Sequence, residues 1–147
     1  MSIGSTLASR FFDLHEWVYT RSGGRFGHRM VGVPSLVLQT VGRRSGLPRT
    51  SVLAYARDDD NFVVVGSKGG ADEHPGWFHN VTANPNVHIQ VGTKHLDARA
   101  RVVQPGDPDY ARLWKLVNEN NHHRYEGYQA KTSRPIPLVV IEPKKVA

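Results

Sequence analysis

The short links between its β-branched runs constrain the fold of this 147-residue chain more than any other feature. Links at residues 42–48, 57–61 and 92–94 are too short for the crossover of a dozen or more residues that joins parallel strands. They fit antiparallel hairpins. The predicted strands cover residues 36–41, 49–56, 62–65, 87–91, 95–103 and 136–141. The sequence therefore predicts an α+β, mainly β fold over residues 1–147, a small antiparallel barrel with helices between its strands.

Helical spacing of apolar residues and helix-start signals predict three helices. The first covers residues 1–20 and either packs on the domain or lies on a membrane surface, since Trp and Tyr favour that interface. The second begins at Pro75 and the third at Pro108, because proline is favoured at the first helical position. Residues 21–33, rich in glycine and arginine, predict a linker, and residues 118–134 predict a mobile polar loop.

The charge balance restricts the classes of partner. The formal net charge is +6, from 19 Lys and Arg against 13 Asp and Glu, which suits nucleic acid, an anionic membrane or an acidic small molecule. No predicted helix carries a continuous basic stripe, so nucleic acid is disfavoured. The lack of cysteine excludes thiol catalysis and cysteine-bound zinc. Neither a secretion signal nor a membrane-spanning stretch is recognisable, so we expect a cytoplasmic protein.

One turn of the chain concentrates positive charge. It confines Arg43, Arg44 and Arg49 between two predicted strands. Their mutual repulsion is relieved beside a phosphate or carboxylates, which arginine binds bidentately. A solvated hairpin tip is the alternative, because charged turns are common.

A glycine loop at residues 66–70 is a second candidate for anion binding. It contains Lys68 and precedes the helix that begins at Pro75, although a plain flexible connection explains the glycines equally well. If the strands at 49–56 and 62–65 pair as a hairpin, this loop and the arginine turn lie at one end of the sheet. Lys68 and the three arginines are then predicted to surround one anion.

Other side-chain patterns are weaker. His74 and His79 are five residues apart, about 140° around a helix, with no acidic residue to complete a metal site, so we expect no metal. Ser67 is not in the GxSxG elbow of a serine hydrolase. Tyr125 and Tyr128 are suited to closing over an aromatic ligand and donating a proton, or to packing as a pair at helical spacing.

Four motifs together carry a resemblance to a known family. They read T-V-G-R-R-S-G-L-P-R-T at residues 40–50, G-S-K-G-G-A-D-E-H-P-G-W-F-H-N at 66–80, A-N-P-N-V at 83–87 and R-P-I-P-L-V-V-I-E-P at 134–143. In this order they resemble the deazaflavin-dependent nitroreductase family of mycobacteria and related actinobacteria. The resemblance implies a six- to seven-stranded split antiparallel β-barrel with flanking helices, related to the FMN-binding barrels of the pyridoxamine-phosphate oxidase type.

The resemblance also implies the cofactor, coenzyme F420, a deazaflavin that carries a phosphate and a glutamate tail. The phosphate and the tail are implied to contact the arginine turn and the strand that begins at Arg49. These residues are Arg43, Arg44, Ser45, Arg49, Thr50, Ser51, Val52, Leu53 and Ala54. The implied contacts of the ring are Val65, Gly66, Ser67 and Lys68, the helix residues Gly76, Trp77, Phe78, His79 and Asn80, and Tyr125 closing over the ring.

The implied reaction is hydride transfer from the reduced deazaflavin to a small-molecule acceptor, a quinone or a nitroaromatic compound. Ser67, Tyr125 and Tyr128 are the candidates for stabilising or protonating the acceptor oxygen. His122 stands where relatives that reduce bulky nitroimidazoles carry another tyrosine, and Ala54 is smaller than the aromatic residue found in others. The alternatives are an FMN-binding oxidoreductase with the same barrel, and a non-catalytic protein that binds the deazaflavin.

Overall fold

The computed structural model describes residues 29–30 and 33–144. The predicted helix over residues 1–20 and most of the predicted linker over 21–33 lie outside the described residues. The described end of that linker differs from the prediction. Arg29–Met30 form a two-residue strand, β1, that pairs with Val33 and Pro34 at the start of the next strand.

Seven further strands form a curled antiparallel sheet with β1. They are β2 (Val33–Val41), β3 (Pro48–Ala54), β4 (Ala56–Asp58), β5 (Asn61–Val65), β6 (Asn86–Val91), β7 (Lys94–Val103) and β8 (Leu138–Pro143). Neighbouring strands follow the order β1-β2-β6-β7-β8-β5-β4, and β3 also pairs with β2. Every pairing is antiparallel, so the prediction from link lengths is confirmed.

A break at Tyr55 links the two ends of the curled sheet through the chain. The predicted strand at residues 49–56 is divided there: β3 pairs with β2, whereas β4 pairs with β5 at the other end of the sheet. Because Tyr55 joins β3 directly to β4, the chain connects the two ends of the sheet. The Tyr55 ring is buried edge-on against Phe62, and its carbonyl accepts a hydrogen bond from Asn120 Nδ2 at 2.9 Å.

Three described helices flank the barrel: α1 (Gly76–Ala83), α2 (Tyr110–Asn120) and α3 (Arg124–Gln129). Pro75 caps α1 rather than occupying its first position. The helix predicted at Pro108 begins two residues later, because the Asp107 carboxylate first accepts a hydrogen bond from Gln104 N and closes a turn. Within the described residues, no helix is both long and apolar enough to cross a membrane.

The prediction of a mobile loop over residues 118–134 is wrong, because this segment contains α3. Asn118 is buried and bonds the chain on both sides: its Nδ2 donates to Trp114 O, and its Oδ1 accepts from Glu126 N. His122 and His123 form the link between α2 and α3 in the left-handed region. The polar side chains that predicted a loop therefore pair with the backbone.

Two hydrophobic clusters share strands β5 and β8. Successive strand residues point to opposite faces, so Val64 and Ile141 lie in the barrel cluster, with Trp77 and Phe78 of α1. The second cluster packs the other face of both strands against α2 and α3. It contains Ala56, Val63, Val65, Val103, Leu113, Val117, Tyr125, Ile136, Leu138 and Val140. Burial on both faces accounts for the continuous apolar runs of β5 and β8.

Candidate functional site

The arginine turn lines a cavity of about 350 Å³ at the rim of the barrel. The residues around it come from the turn after β2, from β3 and from the first turns of α1. They are Gly42, Arg43, Arg44, Ser45, Arg49, Ser51, Gly76, Trp77 and Asn80. All except Gly42 are among the cofactor contacts implied by the resemblance, so the structure brings eight of those residues together.

Asn80 of α1 holds the turn in place. Its buried side chain accepts a hydrogen bond from Arg43 N at 3.1 Å and donates one to Thr40 Oγ1 at 3.1 Å. Gly42 O accepts from Gly46 N at 2.8 Å across the tip of the turn. Asn80 thus anchors the turn to the helix, and the arginine side chains are left exposed.

The electrostatics of this cavity favour an anion. Among the described residues, Arg43, Arg44 and Arg49 form no ion pair. The N-terminus of α1 reaches the same cavity at Gly76 and Trp77, whose N–H groups precede the first bonds within the helix. Three unpaired guanidiniums and a helix N-terminus suit an oxyanion with more than one negative charge.

The glycine loop does not join the arginines as predicted. Lys68 is not among the residues that line the arginine cavity, and its Nζ lies 3.5 Å from Glu73 Oε1. The loop has its own geometry instead. Ser67 is in the right-handed region, and Lys68 and Gly69 have φ values of 45° and 64°. Successive right- and left-handed residues turn consecutive N–H groups into one concavity.

The Ser67 hydroxyl is a buried polar group without a partner. Ser67 is 8% exposed, and its side chain makes no hydrogen bond within the described part of the chain. An unpaired buried hydroxyl costs free energy, which a hydrogen bond to water or to a bound molecule removes. The free hydroxyl of Ser67 therefore fits a cofactor whose ring presents a polar edge to the glycine loop.

Helix α3 packs directly against the glycine loop at Gly70. A Cβ atom at Gly70, where φ is +88°, would lie 2.6 Å from Tyr128 O. Tyr128 itself is half-buried, with its ring 6.2 Å from that of Tyr125. The loop and α3 are therefore one packed unit.

Tyr125 is a core residue of the described chain. It is 7% exposed inside the second hydrophobic cluster, and its hydroxyl bonds the side chain of Asn121. Burial raises the pKa of this hydroxyl. Its burial fits the alternative of aromatic packing, and its closing over a cofactor ring stays a prediction.

The remaining implied contacts occupy two regions. Thr50, Val52, Leu53 and Ala54 lie along β3 opposite β2, and Val65 and Gly66 lead from β5 into the glycine loop. Phe78 points into the barrel cluster, and His79 is half-buried beside it, with ring centroids 6.1 Å apart. Within the described residues, no group of three histidine or acidic side chains is placed to hold a metal ion.

Sequence reasoning missed the roles of Arg134 and His74. Arg134 begins the motif at residues 134–143, but the motif does not indicate which groups its guanidinium binds. In the structure its guanidinium spans the glycine loop and contacts His74 Nδ1 at 3.1 Å. Burial, and then the charge of Arg134, lowers the pKa of His74; burial also lowers the pKa of Arg134. A lowered pKa favours the neutral imidazole, and Nδ1 is the acceptor in this contact because a guanidinium can only donate.

The fold and the site define a class of protein. A curled antiparallel barrel with an arginine-lined cavity at its rim and a glycine loop presenting backbone donors is suited to a flat cofactor with an acidic tail. Such an arrangement belongs to the split barrels that bind flavin-like cofactors.

Comparison with known proteins identifies the family within that class. The chain belongs to the family described as F420H(2)-dependent quinone reductase, whose sequence profile matches residues 11–143. The F420H(2)-dependent quinone reductase Rv1261c of Mycobacterium tuberculosis is 55% identical over 129 residues, 87% of each chain. The predicted membership of an F420-dependent reductase family is confirmed.

Solved structures confirm the fold. The structure of an F420-H2 dependent reductase, FDR-A, is 37% identical, with a TM-score of 0.67 over 74% of this chain and 94% of that chain. A structure from Listeria innocua named for pyridoxamine 5′-phosphate oxidase is 15% identical, with a TM-score of 0.53 over 76% of this chain and 84% of that chain. The second likeness shows the fold alone.

The contact between Gly70 and α3 generates a stability prediction. Replacing Gly70 by Ala adds the strain of a positive φ and an overlap with Tyr128 O, and we expect it to lower the free energy of unfolding by about 2 to 5 kcal/mol. Gly69→Ala is the matched control, because its φ is also positive but no atom lies within 4 Å of the new Cβ. It should cost about 1 to 2 kcal/mol in urea unfolding. Equal losses would contradict the packing of the loop on α3.

Proposed function

We propose that this protein is an F420H2-dependent oxidoreductase that delivers a hydride from the reduced deazaflavin to a quinone. The observation that carries the proposal is the set of three arginines around one cavity that form no ion pair with any described residue, in a chain of the F420H(2)-dependent quinone reductase family. Nitroaromatic compounds are electron-poor acceptors of the same general shape, and we include them as a second acceptor class.

The residues at the cavity fit F420 better than FMN. FMN carries one phosphate, whereas F420 carries a phosphate and the carboxylates of its tail. Arg43, Arg44 and Arg49 together offer more positive charge than a single phosphate needs, and the guanidinium of arginine is able to bind a carboxylate or a phosphate through two hydrogen bonds. The N-terminus of α1 adds backbone donors for the phosphate.

When bound, reduced F420 supplies the hydride. A hydride and one proton reduce a quinone to the hydroquinone, so the protein needs to bind, orient and supply a donor near the acceptor oxygen. Ser67 has a buried hydroxyl without a partner in the described chain, and Tyr128 is a half-buried residue whose backbone lies beside the loop at Gly70. We assign the hydroxyls of these two residues to the acceptor or to the polar ring edge.

Titration with two cofactors tests the proposal. Purified protein is titrated with F420 and with FMN while the fluorescence of each cofactor is followed, and we expect tighter binding of F420. Consumption of F420H2 is then measured with menadione and other quinones. Preference for FMN would overturn the cofactor assignment. Binding of F420 without consumption of F420H2 by any quinone would instead make the protein a non-catalytic deazaflavin-binding protein.

The arginine turn generates a binding prediction. Arg43→Ala combined with Arg44→Ala removes charge-assisted hydrogen bonds worth roughly 1.5 to 3 kcal/mol each, less some screening at an exposed site. We expect F420 affinity to fall by roughly tenfold or more and the remaining binding to depend less on salt. Arg99→Ala with Arg101→Ala removes the same charge from exposed positions of β7 and is the control. Equal effects of the two double variants would show that only net charge matters.

Single substitutions distinguish the roles of the two tyrosines of α3. Tyr128→Phe should lower kcat by about tenfold to a hundredfold with F420 affinity unchanged, if its hydroxyl acts on the acceptor. Tyr125→Phe removes the bond to Asn121 and should lower the free energy of unfolding by about 1 kcal/mol, with kcat retained. Steady-state kinetics and thermal unfolding of both variants check this. If only Tyr125→Phe lowers kcat, the hydroxyl that acts on the acceptor belongs to Tyr125 and not to Tyr128.

A further inference from the structure

Arg134 binds the carbonyl side of the glycine loop with its whole guanidinium. Nε donates to Ala71 O at 2.8 Å, Nη1 to Gly66 O at 3.1 Å and Nη2 to Ser67 O at 2.8 Å. Nη1 also lies 3.1 Å from Nδ1 of His74. The guanidinium of arginine is a planar fork of five N–H donors, so it can hold the carbonyls of Gly66, Ser67 and Ala71 at once.

The backbone around Arg134 is fixed by a second side chain. Gln129 of α3 donates from Nε2 to Arg134 O at 2.8 Å and accepts at Oε1 from Ile136 N at 2.9 Å. The loop is attached from the other side, since Gly66 N donates to Pro137 O at 2.9 Å. The position of the guanidinium is therefore set by α3 and by the start of β8.

Holding the carbonyls determines where the N–H groups face. In a trans peptide the C=O and N–H bonds point in opposite directions, and the described chain contains only trans peptides. With Gly66 O and Ser67 O directed at Arg134, the N–H groups of Ser67 and Lys68 point to the opposite side of the loop. Neither N–H donates to a protein acceptor within the described residues.

The positive charge of Arg134 also favours hydrogen bonding by the N–H groups of Ser67 and Lys68. In the described chain its guanidinium forms no ion pair, and burial and the guanidinium itself lower the pKa of its ring partner His74, which favours the neutral imidazole. A cation bound behind the carbonyls polarises the peptides, which makes the N–H groups on the other side stronger donors.

We infer that Arg134 is a positioning residue, which holds the peptides of Gly66 and Ser67 so that the N–H groups of Ser67 and Lys68 bind the polar edge of the cofactor ring. The inference rests on the proposed function, because it takes the deazaflavin as the ligand of the loop. The ligand chemistry is a carbonyl oxygen or a delocalised anionic edge, the acceptors that a concavity of N–H groups binds. Arg134 itself stays behind the loop and does not touch the ligand.

The test compares Arg134→Lys with Arg112→Lys. Lysine keeps the charge at position 134 but cannot hold three carbonyls in one plane. Arg112 is the matched control, because it forms a bidentate pair with Asp58 on the surface between α2 and β4. We expect F420 affinity, followed by fluorescence, to fall about tenfold or more in Arg134→Lys and to stay within about twofold in Arg112→Lys. Equal affinities in both variants would overturn the inference.

Two measurements separate positioning from folding. Thermal unfolding reports whether Arg134→Lys is folded at the assay temperature. In Arg134→Ala, added guanidinium or methylguanidinium at millimolar concentration should restore part of the F420 affinity, which general destabilisation would not allow. Absence of rescue in a folded Arg134→Ala variant counts against the inference.

Amide hydrogen exchange on the unaltered protein covers the case in which the variants do not fold. The N–H groups of Ser67 and Lys68 should exchange rapidly without cofactor and become protected when F420 is added. Unchanged exchange with F420 bound would overturn the inference. A wild-type protein that fails to bind F420 would overturn the proposed function instead, so the two failures are distinguishable.

Discussion

The pairing of β5 with β8 is the interaction on which the rest of the structure depends. Both strands are buried on both faces, so neither backbone can exchange its partner for water. Their ladder continues past the strands, since Gly66 N donates to Pro137 O at 2.9 Å. The glycine loop and the segment that carries Arg134 therefore leave the sheet side by side, and this places the guanidinium against the carbonyls of the loop.

The site contains two loops that attract negative charge by different groups. The arginine turn presents exposed side-chain cations, and the buried amide of Asn80 holds its backbone. The glycine loop presents backbone donors, and Arg134 holds its carbonyls from behind. Exposed cations suit a flexible acidic tail, whereas fixed N–H groups suit a rigid ring. The two loops meet through α1, whose first residues line the arginine cavity and follow the glycine loop in the chain.

Local sequence signals predicted the hairpins but not the break in the second strand. Residues 49–56 lack a proline or glycine that would mark an interruption. The contacts of Tyr55 at the break, with the Phe62 ring and with Asn120 Nδ2, form only in the folded chain. The error over residues 118–134 has a related cause. Asn118, Asn121 and Gln129 are polar and suggest a solvated loop. In the structure Asn118 and Gln129 bond backbone groups, and Asn121 bonds the side chains of Arg124 and Tyr125.

The sequence by itself determined the antiparallel class of the sheet, the arginine turn and the family, because link lengths, clustered charge and ordered motifs are properties of the chain. Tertiary structure decided which charges act together. It paired Lys68 with Glu73, buried Tyr125 in a core and brought Arg134 to a loop more than sixty residues earlier in the chain. The reason is that such contacts depend on how the sheet curls and on which strand ends become neighbours. No local sequence pattern encodes contacts between residues so far apart in the chain.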